Sequence, residues 1–187
     1  EIMNIIHVRD EKIKLKKELK SNKNFDLLIT CGRISKGKYD IVKETLTDFG
    51  FKILFNSIAM RPGKPTTFGK FNNNKYFLGV PGNPVSCFVA TIMFLPLIIN
   101  SFYGVKLNNL VRKFLISNSK IIIKNKFTNF LRIKVNKKSP DFFSTFKKQD
   151  SSLQTILSES DGVVEIVPEK NIIKKGDRCS VILFDNM

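Results

Sequence analysis

A chain of 187 residues with 42% hydrophobic content has room for one large or two small domains and enough apolar material to bury a core. Its single histidine, His7, points away from Ser-His-Asp chemistry and histidine-rich metal sites. Three cysteines far apart, Cys31, Cys87 and Cys179, make neither a disulfide framework nor a zinc site, so a reducing, cytoplasmic setting is expected. The net charge of +16 suits a polyanionic partner, yet the lysines are spread along the chain without a basic block, and heavy use of Lys, Asn and Ile is equally what an AT-rich coding sequence produces. No basic helix, zinc module or aromatic RNA-binding signature accompanies the charge, so no nucleic-acid partner is expected. No signal peptide opens the chain. FVATIMFLPLII, from Phe88 to Ile99, falls short of the ~18–20 residues of a bilayer span, is interrupted by Pro96, and is expected to be a buried helix rather than a membrane segment.

In chain order, EIMNIIHV has the apolar content of a strand, and Asp10 suits the cap of a helix from about Glu11 to Leu19 with Leu15 and Leu19 on one face. FDLLIT, from Phe25 to Thr30, has the length and continuous apolarity of a strand covered on both faces. The loop CGRISKGKYD follows. A helix then opens at Asp40, carries Val42, Leu46 and Phe49 as its apolar stripe and stops at Gly50. FKILFNSIAM and KYFLGV are strands, and a helix from about Pro84 completes the strand–helix alternation of an α/β domain with a mostly parallel sheet. After Leu107 short apolar and polar stretches alternate. DGVVEIVPE and IIKKGDRCSVILF predict strands around turns at Pro168 and Gly176-Asp177, with a short helix near Ser151 to Leu157. The expected division is therefore an α/β domain over 1–107, lacking its N-terminal part, and a small β-rich, barrel-like domain over 108–187. Glu1, followed at once by strand-like residues, suggests a fragment whose first strands lie upstream.

Prolines and glycines crowd the stretch from Met60 to Ser86. After KYFLGV, Gly79 and Gly82 remove side chains where the backbone turns. Asn83 is a favourable N-cap, and Pro84 at the first helical position forfeits no intrahelical bond. The product is a helix N-terminus at the carboxyl end of a strand, which binds anions. In RPGKP, Arg61 and Lys64 are cations on a turn stiffened by Pro62 and Pro65 and bent at Gly63, so they lose little entropy on engaging phosphate. In the third loop, Gly32 and Gly37 let backbone N–H groups approach a ligand, Ser35 offers a hydroxyl, and Arg33, Lys36 and Lys38 add charge. Asp40 stays open between two roles: helix cap, or holder of a divalent ion and proton acceptor. Any one of these loops alone is more simply read as a tight connection. Their joint occurrence at predicted strand ends is what predicts one pocket on one sheet rim.

TCGRISKGKYDIVK (30–43), MRPGKPTTFGK (60–70) and GVPGNPVS (79–86) together resemble the molybdopterin molybdenumtransferases, the last enzymes of molybdenum cofactor assembly, a family that includes the C-terminal domain of gephyrin. FLRIKV around Arg132, SSLQTIL from Ser151, DGVVEIVPE and IIKKGDRCSVILF are similar to the family's C-terminal β domain, so the resemblance runs over essentially the whole chain. It implies a cytoplasmic, magnesium-dependent transferase, the back half of a longer homodimeric protein, that takes molybdate and adenylylated molybdopterin, releases AMP and leaves molybdenum on the dithiolene. By that resemblance Gly32, Ser35 and Gly37 line the loop for the pterin phosphate, and Asp40 is catalytic and handles metal or molybdate. Arg61, Gly63 and Lys64 form the basic turn at the anionic substrate, with Lys64 catalytic. Gly82, Asn83, Pro84 and Ser86 form the helix-start loop, and Arg132 and Ser151 face the cleft. The implied partner is a phosphorylated pterin, with neither nucleic acid nor membrane. The alternative is a non-catalytic molybdopterin-binding or scaffold domain of the same fold. Four departures stand out: Arg33 where the family has a glycine, Lys38 for an acidic residue, and Asp150 and Ser152 for the glycines beside Ser151.

Overall fold

The computed structural model describes residues 2–8, 11–22, 24–32, 41–71, 75–104 and 112–186. In chain order the elements are α1 (Lys12–Ser21), β1 (Leu27–Cys31), α2 (Ile41–Asp48), β2 (Lys52–Phe55), β3 (Met60–Arg61), β4 (Thr67–Phe71), β5 (Lys75–Val80), α3 (Pro84–Tyr103), β6 (Arg112–Ser117), β7 (Ile121–Ile122), β8 (Thr128–Val135), β9 (Phe142–Thr145), α4 (Gln154–Ser158), β10 (Gly162–Ile166), β11 (Ile172–Ile173) and β12 (Arg178–Leu183). They form two compact units, one of Glu1–Ile58 with Pro65–Gly82, the other of Ala59–Lys64 with Asn83–Met187. The basic turn and α3, placed in the first domain by the sequence, thus group with the barrel.

The first unit is an α/β layer with strand order β1-β5-β4-β2. β1 and β5 are parallel, while β5–β4 and β4–β2 are antiparallel. Among the described residues the sheet is therefore mixed. The reason is β4, a strand whose central Gly69 and Lys70 hide the apolar pattern of a strand from the sequence. Leu46, on the predicted stripe of α2, is fully buried with Leu19, Phe51 and Phe77, and Leu15, Leu28, Val42 and Phe49 close around them. Phe51 packs on Phe71 and Phe77 at ring separations of 5.0 and 6.3 Å. Lys12 bridges Glu44 at 2.6 Å and Asp48 at 3.3 Å, and Lys16 reaches Asp48 at 2.9 Å, fastening α1 to α2. The strand predicted over the first residues does not form: residues 2–8 have no regular structure, and Ile2 and Ile5 are 78% and 87% exposed. A strand exists only by pairing its backbone with a neighbour, and among the described residues β1 pairs with β5 and with no other strand. Asp10 lies outside the described residues; Glu11, the residue that precedes α1, makes no side-chain cap.

The second unit is built on a closed barrel, β10-β12-β6-β9-β8, sealed by pairing of β8 with β10, with β3 added on the outer side of β8 and a separate β7–β11 ribbon. Its core is Leu115, Ile133, Phe143, Val164, Ile166, Cys179 and Val181, with Ile121 and Ile173 from the ribbon. Within the ring β6 and β9 are parallel and the other pairs antiparallel, and closure answers the unpaired-edge problem of so small a sheet. The turns at Pro168 and Gly176 and the short helix α4 lie where the sequence places them. α3 differs from expectation. It runs 20 residues, long and apolar enough by length and composition to cross a membrane, a test that the core helix of a soluble protein also passes. It is also not wholly buried. Val85, Ser86, Val89, Ala90, Ile92 and Ile98 are covered, but Leu97, Ile99, Phe102 and Tyr103 are exposed. Apolar residues surround the helix, whereas packing covers only part of its circumference.

Candidate functional site

β1 and β5 end side by side, with Thr30 opposite Gly79 and Cys31 opposite Val80. β4 begins at the same level, with Thr67 opposite Gly79 on the other flank. One residue from each of the three signature segments therefore stands in a single row across the sheet: Thr30, Gly79, Thr67. Just beyond the row, Gly32 donates its N–H to the Val80 carbonyl at 3.2 Å, and the Cys31 thiol lies 3.9 Å from the Pro81 carbonyl. Gly32 holds φ at +101°, a backbone state that glycine adopts without strain. A methyl built on it would stand 4.0 Å from the Gly82 Cα. The loops after β1 and β5 thus leave the sheet together, with bare backbone facing bare backbone, at the carboxyl ends of two parallel strands. That edge is where open α/β sheets take ligands. Ser35, Gly37 and Asp40 lie outside the described residues.

In the second unit, the start of α3 matches the sequence. The Asn83 side chain accepts the Ser86 N–H at 3.2 Å, and Pro84 holds the first helical position. Ser86 is buried, with its hydroxyl 3.4 Å from the same Asn83 oxygen, so its polar groups serve the cap. Pro84 lies exposed beside it.

The basic turn is anchored on the barrel. β3 lies parallel to β8, with Met60 opposite Thr128 and Arg61 opposite Asn129, and the Thr128 N–H donates to the Ala59 carbonyl at 3.0 Å. Arg61 and Lys64 are exposed; the Lys64 ammonium sits 4.8 Å from the centre of the Phe127 ring. Gly63 is buried with φ at +110°, and a methyl there would meet Met60 Cε at 2.8 Å. The Arg61–Pro62 peptide is cis.

Arg132, expected to face the ligand, is a residue only 2% exposed, and its guanidinium is engaged by the protein. Nη2 donates to the Asp150 carbonyl at 2.9 Å, Nη1 to the Leu153 carbonyl at 3.1 Å, and Nε to Gln149 Oε1 at 3.4 Å. Gln149 answers with its amide on the Arg132 and Phe146 carbonyls. Arg132 is therefore a strut that shapes the 149–153 loop carrying half-buried Ser151. Burial pulls its guanidinium below the usual value, and the Asp150 carboxylate acts the other way. The Asp150 carboxyl is held below the ordinary carboxylate range, first by hydrogen bonding from Ser152, whose N–H reaches Oδ1 at 2.8 Å, then by Arg132 and Arg61. Sequence reasoning marked Asp150 only as a departure and passed over Gln149; a glutamine two residues before Ser151 carries no motif signal.

Among the described residues no three histidine, cysteine, aspartate or glutamate side chains gather where a cation could be held. Asp40, the carboxylate expected to hold the magnesium ion, is outside the described residues.

A family model described as a probable molybdopterin binding domain matches residues 1–100, and the MoeA C-terminal region (domain IV) matches residues 116–184. The molybdopterin molybdenumtransferase of Bacillus subtilis is 30% identical over 87% of this chain and 38% of its own length. The molybdenum cofactor synthesis protein cinnamon of Drosophila melanogaster is 45% identical over 37% of this chain and 11% of its own. The molybdopterin biosynthesis moeA protein of Pyrococcus horikoshii superposes with a TM-score of 0.73 at 25% identity, covering 94% of this chain and 42% of that one. The chain thus spans about two-fifths of the Bacillus and Pyrococcus proteins. With both family models matched in order and the signature segments lined up on one sheet, the chain belongs to the molybdopterin molybdenumtransferase family of molybdenum cofactor biosynthesis.

Proposed function

We propose that the protein inserts molybdenum from molybdate into adenylylated molybdopterin, releasing AMP and forming molybdenum cofactor. The observation that supports this most is the row Thr30, Gly79, Thr67, which brings the three signature segments to the carboxyl edge of one sheet beside the facing glycines Gly32 and Gly82. A phosphorylated pterin offers the anionic oxygens that bare backbone N–H groups at such an edge bind. Arg61 and Lys64, exposed on the barrel-anchored turn, supply positive charge for an anionic substrate. Arg132 acts one step back, holding the Ser151 loop in shape. The setting proposed is a cytoplasmic homodimer with magnesium as cofactor, Asp40 being the residue that would hold it.

Molybdate-dependent AMP release from adenylylated molybdopterin tests this reading. Release that requires molybdate and falls on Lys64→Ala supports it. Substrate binding without release supports instead the non-catalytic molybdopterin-binding or scaffold role.

A further inference from the structure

We propose that the hydroxyls of Thr30 and Thr67 are ligand-binding groups, donating hydrogen bonds to the oxygens of a tetrahedral oxyanion held over Gly79. This rests on the proposed substrate class and names two contacts within it.

Residues directly opposite one another on paired strands project to the same face of a sheet. Thr30 and Thr67 are both opposite Gly79, so their side chains rise on one face, on either side of a residue that has none. Both Oγ1 atoms are buried and neither has a hydrogen-bond partner; Thr67 as a whole is 1% exposed. A buried hydroxyl without a partner destabilises a fold, and unsatisfied groups of this kind call for a functional explanation. Valine has the same shape without the unmet polar group, so packing alone gives no reason for threonine at either position. Two such hydroxyls stand in one row, inside two of the three signature segments, and Thr30 lies two residues before Gly32 at the edge. Thr45 on α2 also has an unpaired buried hydroxyl but belongs to no strand of this row.

Hydroxyls suit an oxyanion because each donates one proton to an oxygen and brings no charge of its own. Their contribution to affinity is therefore insensitive to salt, unlike that of Arg61, which is screened. Phosphate and molybdate share this tetrahedral chemistry, so both are probes.

The test compares wild type with Thr30→Val, Thr67→Val and Thr67→Ser, measuring melting temperature without ligand and calorimetric affinity for inorganic phosphate and for molybdate at two salt concentrations. The expected result is a higher melting temperature in both valine variants, with affinity for at least one anion weakened about tenfold at either salt. Thr67→Ser should bind as wild type does. The anion whose affinity falls identifies whether the row holds a phosphoryl group or molybdate. Unchanged affinity for both anions in the valine variants, with Arg61→Ala still weakening them, overturns this proposal and leaves the proposed function standing. A lower melting temperature in the valine variants also overturns it, since the hydroxyls would then have protein partners. Failure of wild type to bind either anion overturns this proposal, while the proposed function is decided separately by molybdate-dependent AMP release.

Discussion

Arg132 donates to the Asp150 carbonyl at 2.9 Å and to the Leu153 carbonyl at 3.1 Å, tying a strand of the barrel to the loop that carries Ser151. Because the side chain is almost wholly buried, its removal strands several polar groups at once. Arg132→Met should destabilise the protein by about 2–4 kcal/mol and open residues 149–153 to proteolysis. Arg132→Lys should not restore it, because an ammonium cannot reproduce a planar fork of donors. Thermal denaturation with mapped proteolysis checks this. Loss of ligand affinity with an unchanged melting temperature would make Arg132 a ligand contact after all.

Gly32→Ala places a side chain at φ +101° with ordinary room around it. The penalty is therefore backbone strain of about 1–2 kcal/mol rather than a clash. Denaturant titration measures it. A stability change near zero would mean that the loop relaxes to another backbone state.

Asn83→Ala deletes the acceptor of the Ser86 N–H and should cost about 1 kcal/mol, while Asn83→Asp should keep most of it. Equal losses in the two variants, read from the same titrations, would contradict the cap assignment.

Asp48 is held below its ordinary value of 3.8 first by Lys16, then by Lys12. A carboxyl with a depressed folded-state pKa stabilises the fold fully above its unfolded value and loses that contribution as pH falls through the lower folded one. The attachment of α1 to α2 should therefore hold above that ordinary value and weaken in stronger acid, and Asp48→Asn should flatten this part of the stability profile. Both carboxylate and lysines are exposed enough for salt to reduce the effect. Melting curves against pH at two ionic strengths read both outcomes.

Arg61→Ala removes an exposed cation and should weaken binding of inorganic phosphate more at low than at high salt. Identical affinities across that range would exclude a direct electrostatic role.

The features legible in the sequence are those fixed by neighbouring residues. Asn83 and Pro84 announce the start of α3, and Val42, Leu46 and Phe49 announce the buried face of α2, since caps and helical stripes need only local chemistry. What pairing decides was not legible. The apolar first residues look like a strand but pair with none among the described residues, and β4, where the sequence predicts no strand, pairs on both sides. The same holds at the site. Arg61 and Lys64 were picked out as cations, but the register of Arg61 with Asn129 joins segments distant in sequence. Arg132 was picked out as a ligand contact because a motif position names a residue and not its burial. The row Thr30, Gly79, Thr67 likewise appears only when three strands are laid side by side.

Backbone amide spectra of the isotope-labelled protein, titrated with phosphorylated pterin, test the convergence of the signature segments most directly. The account predicts shifts that saturate together at Gly32, Gly79 and Gly82. Saturable binding with those three amides unmoved would contradict it.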